Sequence, residues 1–175
     1  MKSGLIQILS GDGKGKTTAA IGLAVRARGH NLRVCYIYFH KDPEKWEYGE
    51  FKILKELDVD VSGFARKHPH FCKDVVAEDI RRECLKGLEF IKKLYQENKY
   101  DILILDEINI SLRDGFLKEE EVLDILDSKP ENLELILTGR GASKRIIEKA
   151  DLVSEVKNIK HPYESGVEGR EGIEY

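Results

Sequence analysis

Leu5-Ile6-Gln7-Ile8-Leu9, then Ser10-Gly11-Asp12-Gly13-Lys14-Gly15-Lys16-Thr17-Thr18, then a helix-forming stretch from Ala19 to Arg28, is the part of this chain that decides its fold. An apolar strand, a glycine-rich turn, Lys-Thr and a helix, in that order, form a phosphate-binding loop. The glycines let the backbone turn several N–H groups toward one point. The helix beginning near Lys16 adds the positive end of its dipole. Lys16 brings a full charge to phosphate oxygens, and the Thr17 hydroxyl is placed to bind Mg²⁺. Gly11, Asp12, Gly13, Lys14, Gly15 and Thr18 complete the nucleotide-binding set. The loop is also short. The usual spacing is G-x-x-x-x-G-K-[ST], and Ser10 stands where its first glycine belongs. Read from Gly11, the loop is one residue shorter, and Lys14 places a second cation inside it.

Working outward, strands and helices alternate. Arg33–Phe39 reads as a second strand, Glu44–Leu57 as a helix interrupted near Gly49, and Val59–Val61 as a short strand. Lys67–Phe71 reads as a loop. Asp74–Asn98 is a long amphipathic helix, with Ile80, Cys84, Leu88, Ile91 and Leu94 on one face at helical period. Ile102–Leu105 is a buried strand ending in Asp106-Glu107. A helix at Lys118–Leu126, a strand at Leu133–Leu137, a helix at Ala142–Lys149 and a strand at Leu152–Val156 follow. The tail from Lys160 to Tyr175 reads as irregular. This order predicts an α/β, three-layer fold: a mostly parallel sheet with helices on both faces, in one domain over residues 1–175. Ligands on such sheets bind beyond the carboxyl ends of the strands. The loop at 10–18, Asp106-Glu107 and Thr138-Gly139-Arg140-Gly141 all fall at those ends.

Composition narrows the class further. The 175 residues carry a net charge of −3 with 35% charged side chains. That balance argues against general nucleic-acid binding. Cys35, Cys72 and Cys84 lack metal-type spacing, which argues against a zinc site or a disulfide framework, and Cys35 reads as core. There is no signal peptide and no membrane-spanning apolar stretch, so a cytoplasmic protein is expected.

The remaining polar residues have chemical roles to fill. Asp106 and Glu107 follow four aliphatic residues, and such a carboxylate holds Mg²⁺ directly or through water. Asp106 could instead cap a following helix, and Glu107 could act as a general base. Arg140, between two glycines, suits phosphate oxygens. His68, His70 and Phe71 could line a pocket; Trp46 and Tyr48 read as packing residues. These features specify a nucleotide-binding enzyme but leave open what accepts the transferred group. A nucleoside kinase or a non-catalytic ATP-binding protein of the same fold would carry the same loop.

Five segments together resemble the P-loop type of ATP:corrinoid adenosyltransferase. They are Gly11-Asp12-Gly13-Lys14-Gly15-Lys16-Thr17-Thr18-Ala19-Ala20, Leu105-Asp106-Glu107-Ile108, Thr138-Gly139-Arg140-Gly141, Ala150-Asp151-Leu152-Val153-Ser154-Glu155 and the tail Lys160-His161-Pro162-Tyr163 … Gly172-Ile173-Glu174-Tyr175. The resemblance implies a RecA-type fold, ATP as co-substrate, Mg²⁺ or Mn²⁺, and a Co(I) corrinoid that displaces triphosphate from the 5′ carbon of ATP. It implies ATP lying reversed, with the γ-phosphate deep in the loop. It also implies a homodimer and a reducing flavoprotein as partner, with no nucleic acid or membrane. By position it assigns phosphate and metal contacts to Lys14, Lys16, Thr17 and Thr18, with Glu107 approaching the metal; Lys16, Thr17 and Glu107 form the catalytic set, and Thr17, Asp106 and Glu107 the metal set. Arg26 matches an arginine lining the nucleotide site. Gly63-Phe64 matches the start of a Gly-Phe-Thr-Trp segment at the corrinoid face, which places Phe64 against the substrate. Here Ala65-Arg66 follow, so that tryptophan is missing.

Overall fold

The computed structural model describes residues 3–68 and 75–174. His70, Phe71, Cys72 and the expected helix start at Asp74 lie outside the described residues. Six strands form one sheet: β1 Ile6–Ser10, β2 Val34–Phe39, β3 Asp60–Phe64, β4 Ile102–Asp106, β5 Glu134–Thr138 and β6 Leu152–Glu155. Their order across the sheet is β3-β2-β4-β5-β1-β6, and every pairing is parallel. Parallel strands need crossover connections, and helices supply them. These are α1 Lys16–Arg28, α2 Gly49–Glu56, α3 Ala77–Glu97, α4 Ile108–Arg113, α5 Glu119–Asp127 and α6 Lys144–Lys149.

The sheet divides the core in two. On one face Ala20, Ala24 and Ala27 of α1 and Leu54 of α2 pack on Tyr36, Tyr38, Ile104 and Ile136. On the other, the apolar stripe of α3 joins Ile108, Ile125 and Ile146 against Ile37, Leu103 and Leu135. The buried stripe contains Ile80, Cys84, Leu88, Ile91 and Leu94, as the period predicts. Cys35 is buried on this face too. Every residue of β2, β4 and β5 is buried, which is why these strands read as continuous apolar runs. Edge strand β6 is exposed throughout.

Two departures from the sequence reading concern helices. Helix α2 starts only at Gly49, because residues 43–46 form a turn instead. Helix α4, at six residues, is too short to show an apolar period; the sequence marks it only by the capping role open to Asp106, which that side chain does not fill. In the tail, Pro162–Ser165 makes a single 3₁₀ turn. Among the described residues, no helix is long and apolar enough to cross a membrane.

The topology fixes where a ligand can sit. After β1 the chain crosses to α1 on one face, whereas the connections after β4 and β5 lead to helices on the other. A crevice opens at the carboxyl ends where those connections diverge.

Candidate active site

That crevice is a cavity of about 1100 Å³. Its walls include the loop from Asp12 to Thr18, and Lys41, Tyr48, Glu107 and Arg140.

The loop is shaped by glycine at two positions. Gly11 has φ +104°, and a Cβ there would lie 2.5 Å from the Val156 carbonyl oxygen. A Cβ on Gly13 would lie 2.6 Å from the Lys157 carbonyl oxygen. The chain leaving β6 therefore fences the loop, and the Gly13 N–H donates to Val156 O at 2.7 Å. No side chain caps α1, whose N-cap is Gly15, so its first N–H groups remain available to an anion. Lys16 is buried and donates to the Gly13 carbonyl at 2.7 Å. Burial pushes its pKa down, partly offset by Glu107.

Asp106 and Glu107 are adjacent but differ in every respect. Asp106 is fully buried and accepts from four side chains: Tyr36 at 2.7 Å, Thr138 at 2.7 Å, Lys41 at 2.8 Å and Thr17 at 3.0 Å. Burial alone would push its pKa up; Lys41 and the hydroxyl donors outweigh that and hold it ionised. Its lone pairs are taken. Glu107 lies at the left-handed φ of +63°, and its side chain accepts no hydrogen bond from any described residue. It lines the cavity, and burial, then the Asp106 charge, raises its pKa. Its backbone N–H donates to Thr138 Oγ1 at 2.9 Å, so Thr138 ties both residues in place. The side chain of neither residue caps α4.

Arg140 reaches over the loop, with Nη2 at 3.5 Å from the Asp12 carbonyl and Nε at 3.8 Å from its carboxylate. Gly139 makes room for this corner: a Cβ there would lie 3.0 Å from Asn109 Cβ and 3.2 Å from Glu107 Oε2. Lys14 is held by the tail, donating to Ile173 O at 2.9 Å and pairing with Glu174 at 2.7 Å.

Of the residues marked from sequence, Asp12 through Thr18, Glu107 and Arg140 line one cavity. Gly11 and Asp106 support it from behind. Arg26 is exposed on α1 and does not line it. Phe64 packs between the Phe39 and Phe90 rings, at centroid distances of 6.1 and 5.4 Å, and lies away from the cavity. Tyr48 does line it, with Lys41 5.1 Å above its ring; Trp46 is exposed.

Sequence reasoning marked His68 as a pocket residue, and it lines the cavity, but it missed Lys41 and the His40, Ser111, Arg113 and Asp114 around His68 on the far wall. Lys41 is two residues past β2, a strand end beside β4, and that position was the available signal. On the far wall, His40 Nε2 lies 2.7 Å from Ser111 Oγ, and His68 Nε2 lies 2.8 Å from Asp114 Oδ2. Both histidines, Ile110, Arg113 and Asp114 face the cavity. Asn109, fully buried beside Gly139, has no partner for either polar atom of its amide.

A cation has a fitting donor set here. Among the described residues no three His, Cys, Asp or Glu side chains converge to hold a metal alone. Mg²⁺ does not require that, since it takes one or two protein oxygens together with substrate phosphates and water. The open Glu107 carboxylate fits this role. So does Thr17 Oγ1, whose proton is directed at Asp106 and whose lone pairs are thereby left free.

The whole arrangement has known relatives. The family model "ATP:corrinoid adenosyltransferase BtuR/CobO/CobP" matches residues 2–175. The corrinoid adenosyltransferase of Escherichia coli K12 is 35% identical over 98% of this chain and 86% of its own. Corrinoid adenosyltransferase CobA of Salmonella typhimurium is 34% identical over the same shares. Among solved structures, a KaiC-like protein of Pyrococcus horikoshii superposes with a TM-score of 0.58 at 13% identity, covering 90% of this chain and 74% of that one. That likeness concerns the fold alone.

Proposed function

The chain belongs to the ATP:corrinoid adenosyltransferase family, and on that premise we propose how its own residues divide the work. The enzyme transfers the 5′-deoxyadenosyl group of ATP to the Co(I) centre of a corrinoid in cobalamin biosynthesis or salvage. Cobalt contributes its electron pair to the new cobalt–carbon bond. The bond between the 5′ carbon and oxygen breaks, and its pair leaves on triphosphate.

The nucleophile needs no proton removed, so the site needs no general base. Its task is to hold the leaving group and offset the charge gathering there. Lys16, Lys14, Arg140 and the free N–H groups of α1 do this, with Thr18 beside them. Glu107 and the Thr17 hydroxyl hold Mg²⁺, which supplies further positive charge at the triphosphate oxygens when bound. Asp106 is a positioning residue: it accepts the hydrogen bond of the Thr17 hydroxyl and neutralises Lys41. Lys14 exchanges Glu174 for phosphate when ATP enters. Binding both substrates in one crevice aligns cobalt and carbon. The chain works as one nucleotide-binding domain. A cytoplasmic homodimer and a flavoprotein that supplies Co(I) belong to the same reading and rest on resemblance to the family.

The observation that supports this division is the contrast between the two carboxylates, one saturated and one open. Titrating Mg²⁺ against turnover tests it. Glu107→Gln should raise the half-maximal Mg²⁺ concentration about tenfold, the loss of one charged ligand contact. An unchanged titration in Glu107→Gln would return the ligand role to Asp106.

A further inference from the structure

A second cavity, of about 470 Å³, opens at the carboxyl ends of β2 and β3, on the α2 face of the sheet. The nucleotide chemistry does not use it. Tyr48, which lines the first cavity, and Phe51, which lines the second, stand 5.1 Å apart between ring centroids, so the two cavities share this wall. Tyr38 crosses the floor. Its ring stacks on Phe51 at 4.5 Å and lies over Gly63, where a Cβ would meet the phenol oxygen at 2.4 Å. The missing side chain at 63 is what admits the ring. Only 4% of Tyr38 is exposed, and its hydroxyl has no hydrogen-bond partner among the described residues. Unlike the unpartnered amide of Asn109 or phenol of Tyr95, this hydroxyl is not sealed off; it opens into the cavity.

Two cations stand beside it. Lys55 lies in the last turn of α2. Arg66 follows Ala65, whose left-handed φ of +47° turns the chain and whose carbonyl accepts from the His40 N–H at 3.1 Å. Both line the cavity, and neither side chain has an ion-pair or hydrogen-bond partner among the described residues. No described carboxylate lines it. Asp42, whose charge also reaches the phenol, stands outside the lining and accepts from the Glu44 N–H at 3.1 Å. Burial raises the Tyr38 pKa, so the hydroxyl keeps its proton and can donate. The wall thus offers an ammonium, a guanidinium and a fixed phenol, with no charge to answer them. We propose that this pocket binds a phosphate group, with Tyr38, Lys55 and Arg66 as its donors. A guanidinium fork and an ammonium suit the several oxygens of phosphate. The group belongs either to free inorganic phosphate or to the phosphodiester of a complete corrinoid. The second source rests on the reaction assigned above; the first does not.

Lys55 and Arg66 are exposed, so replacing them leaves the core intact. The protein is loaded with ATP and Mg²⁺ to fill the phosphate loop, then titrated with inorganic phosphate by calorimetry. The wild type should bind the ion, and the double variant Lys55→Gln with Arg66→Gln should bind it about tenfold more weakly, with ATP affinity and melting temperature unchanged. Tyr38→Phe, which removes only the oxygen, should weaken it about threefold. No binding by the wild type, or equal binding by the double variant, would overturn the proposal. Unaltered affinity in Tyr38→Phe would overturn it in favour of loose attraction to two surface cations. Visible titrations then separate the sources. If the double variant loses affinity for cob(II)alamin, which carries a phosphodiester, and keeps it for cob(II)inamide, which has none, the corrinoid supplies the phosphate. If both corrinoids bind as in the wild type, the ligand is the free ion. The phosphate titration needs neither corrinoid nor turnover, so failure of the adenosyl-transfer assignment shows separately.

Discussion

The two ends of the cavity are built from different materials. At the phosphate end the ligand meets backbone: N–H groups of a loop cornered by Gly11, Gly13 and Gly15, with Lys16 folded onto its own loop. At the far end it meets side chains that brace one another, His40 on Ser111 and His68 on Asp114. The first surface suits any triphosphate. Between them stand Asp106, saturated, and Glu107, open. The contrast is one of construction: fixed dipoles and cations from a loop at one end, braced side chains at the other.

Removing charge from the phosphate end should have the largest effect. Lys16→Ala should lower kcat/KM about 10²- to 10³-fold while the thermal transition persists, since one preorganised charge at a developing anion is of that size. Turnover within a few-fold of wild type would break the contrast at its root.

The two carboxylates should then part ways in stability. Asp106→Asn leaves buried Lys41 without its closest counter-charge. Losing one partner of a buried pair costs about 3 kcal/mol, readable by urea denaturation. Glu107→Gln should cost far less, because its side chain has no partner to lose and repulsion with Asp106 is relieved. Equal losses would erase the distinction.

The far end should show itself through pH. His40 titrates at about 3 in the folded protein and near 6.5 unfolded. Between those values the unfolded chain binds a proton that the native ring refuses. Stability from this residue is therefore complete above about pH 6.5 and falls as pH drops toward 3. The melting temperature should decline from pH 7.5 to 5.0, and less steeply in His40→Gln. Identical slopes would show that Asp114 fully offsets the burial and the positive charges of His68 and Arg113.

The smallest effect concerns the tail. Glu174→Gln weakens an exposed pair with Lys14, and exposed pairs of this kind contribute little. ATP should bind up to about fivefold more tightly, measured by calorimetry. Weaker binding would mean that Glu174 helps hold the nucleotide.

Legibility in the sequence follows the same divide. The phosphate end could be read because backbone demands are local: glycines at 11, 13 and 15, then Lys-Thr and a helix, leave a fixed spacing. The parallel strands were legible for a similar reason, as Ile102–Leu105 can only be buried on both faces. The contacts that Lys41, Tyr36 and Thr138 make left no such trace, although Thr138 stood at a marked strand end. These side chains meet Asp106 from just past β2, from β2 and from β5, across 65, 70 and 32 residues of chain, through the strand order alone. His40 and Ser111, 71 residues apart, meet through a helix too short to announce itself. Phe64 shows the converse. Its local segment marks it as a substrate contact, while its half-buried ring rests against Phe39, Phe90 and Gly87, outside the lining of this cavity.

The central claim is that this crevice holds triphosphate as a leaving group rather than as a donor of phosphate. The direct measurement is anaerobic incubation of the protein with ATP, Mg²⁺ and chemically reduced cob(I)alamin, following the visible spectrum and the phosphate products together. A light-sensitive alkylcobalamin spectrum appearing in step with intact triphosphate is the predicted result. ADP or inorganic phosphate without a spectral change would contradict it.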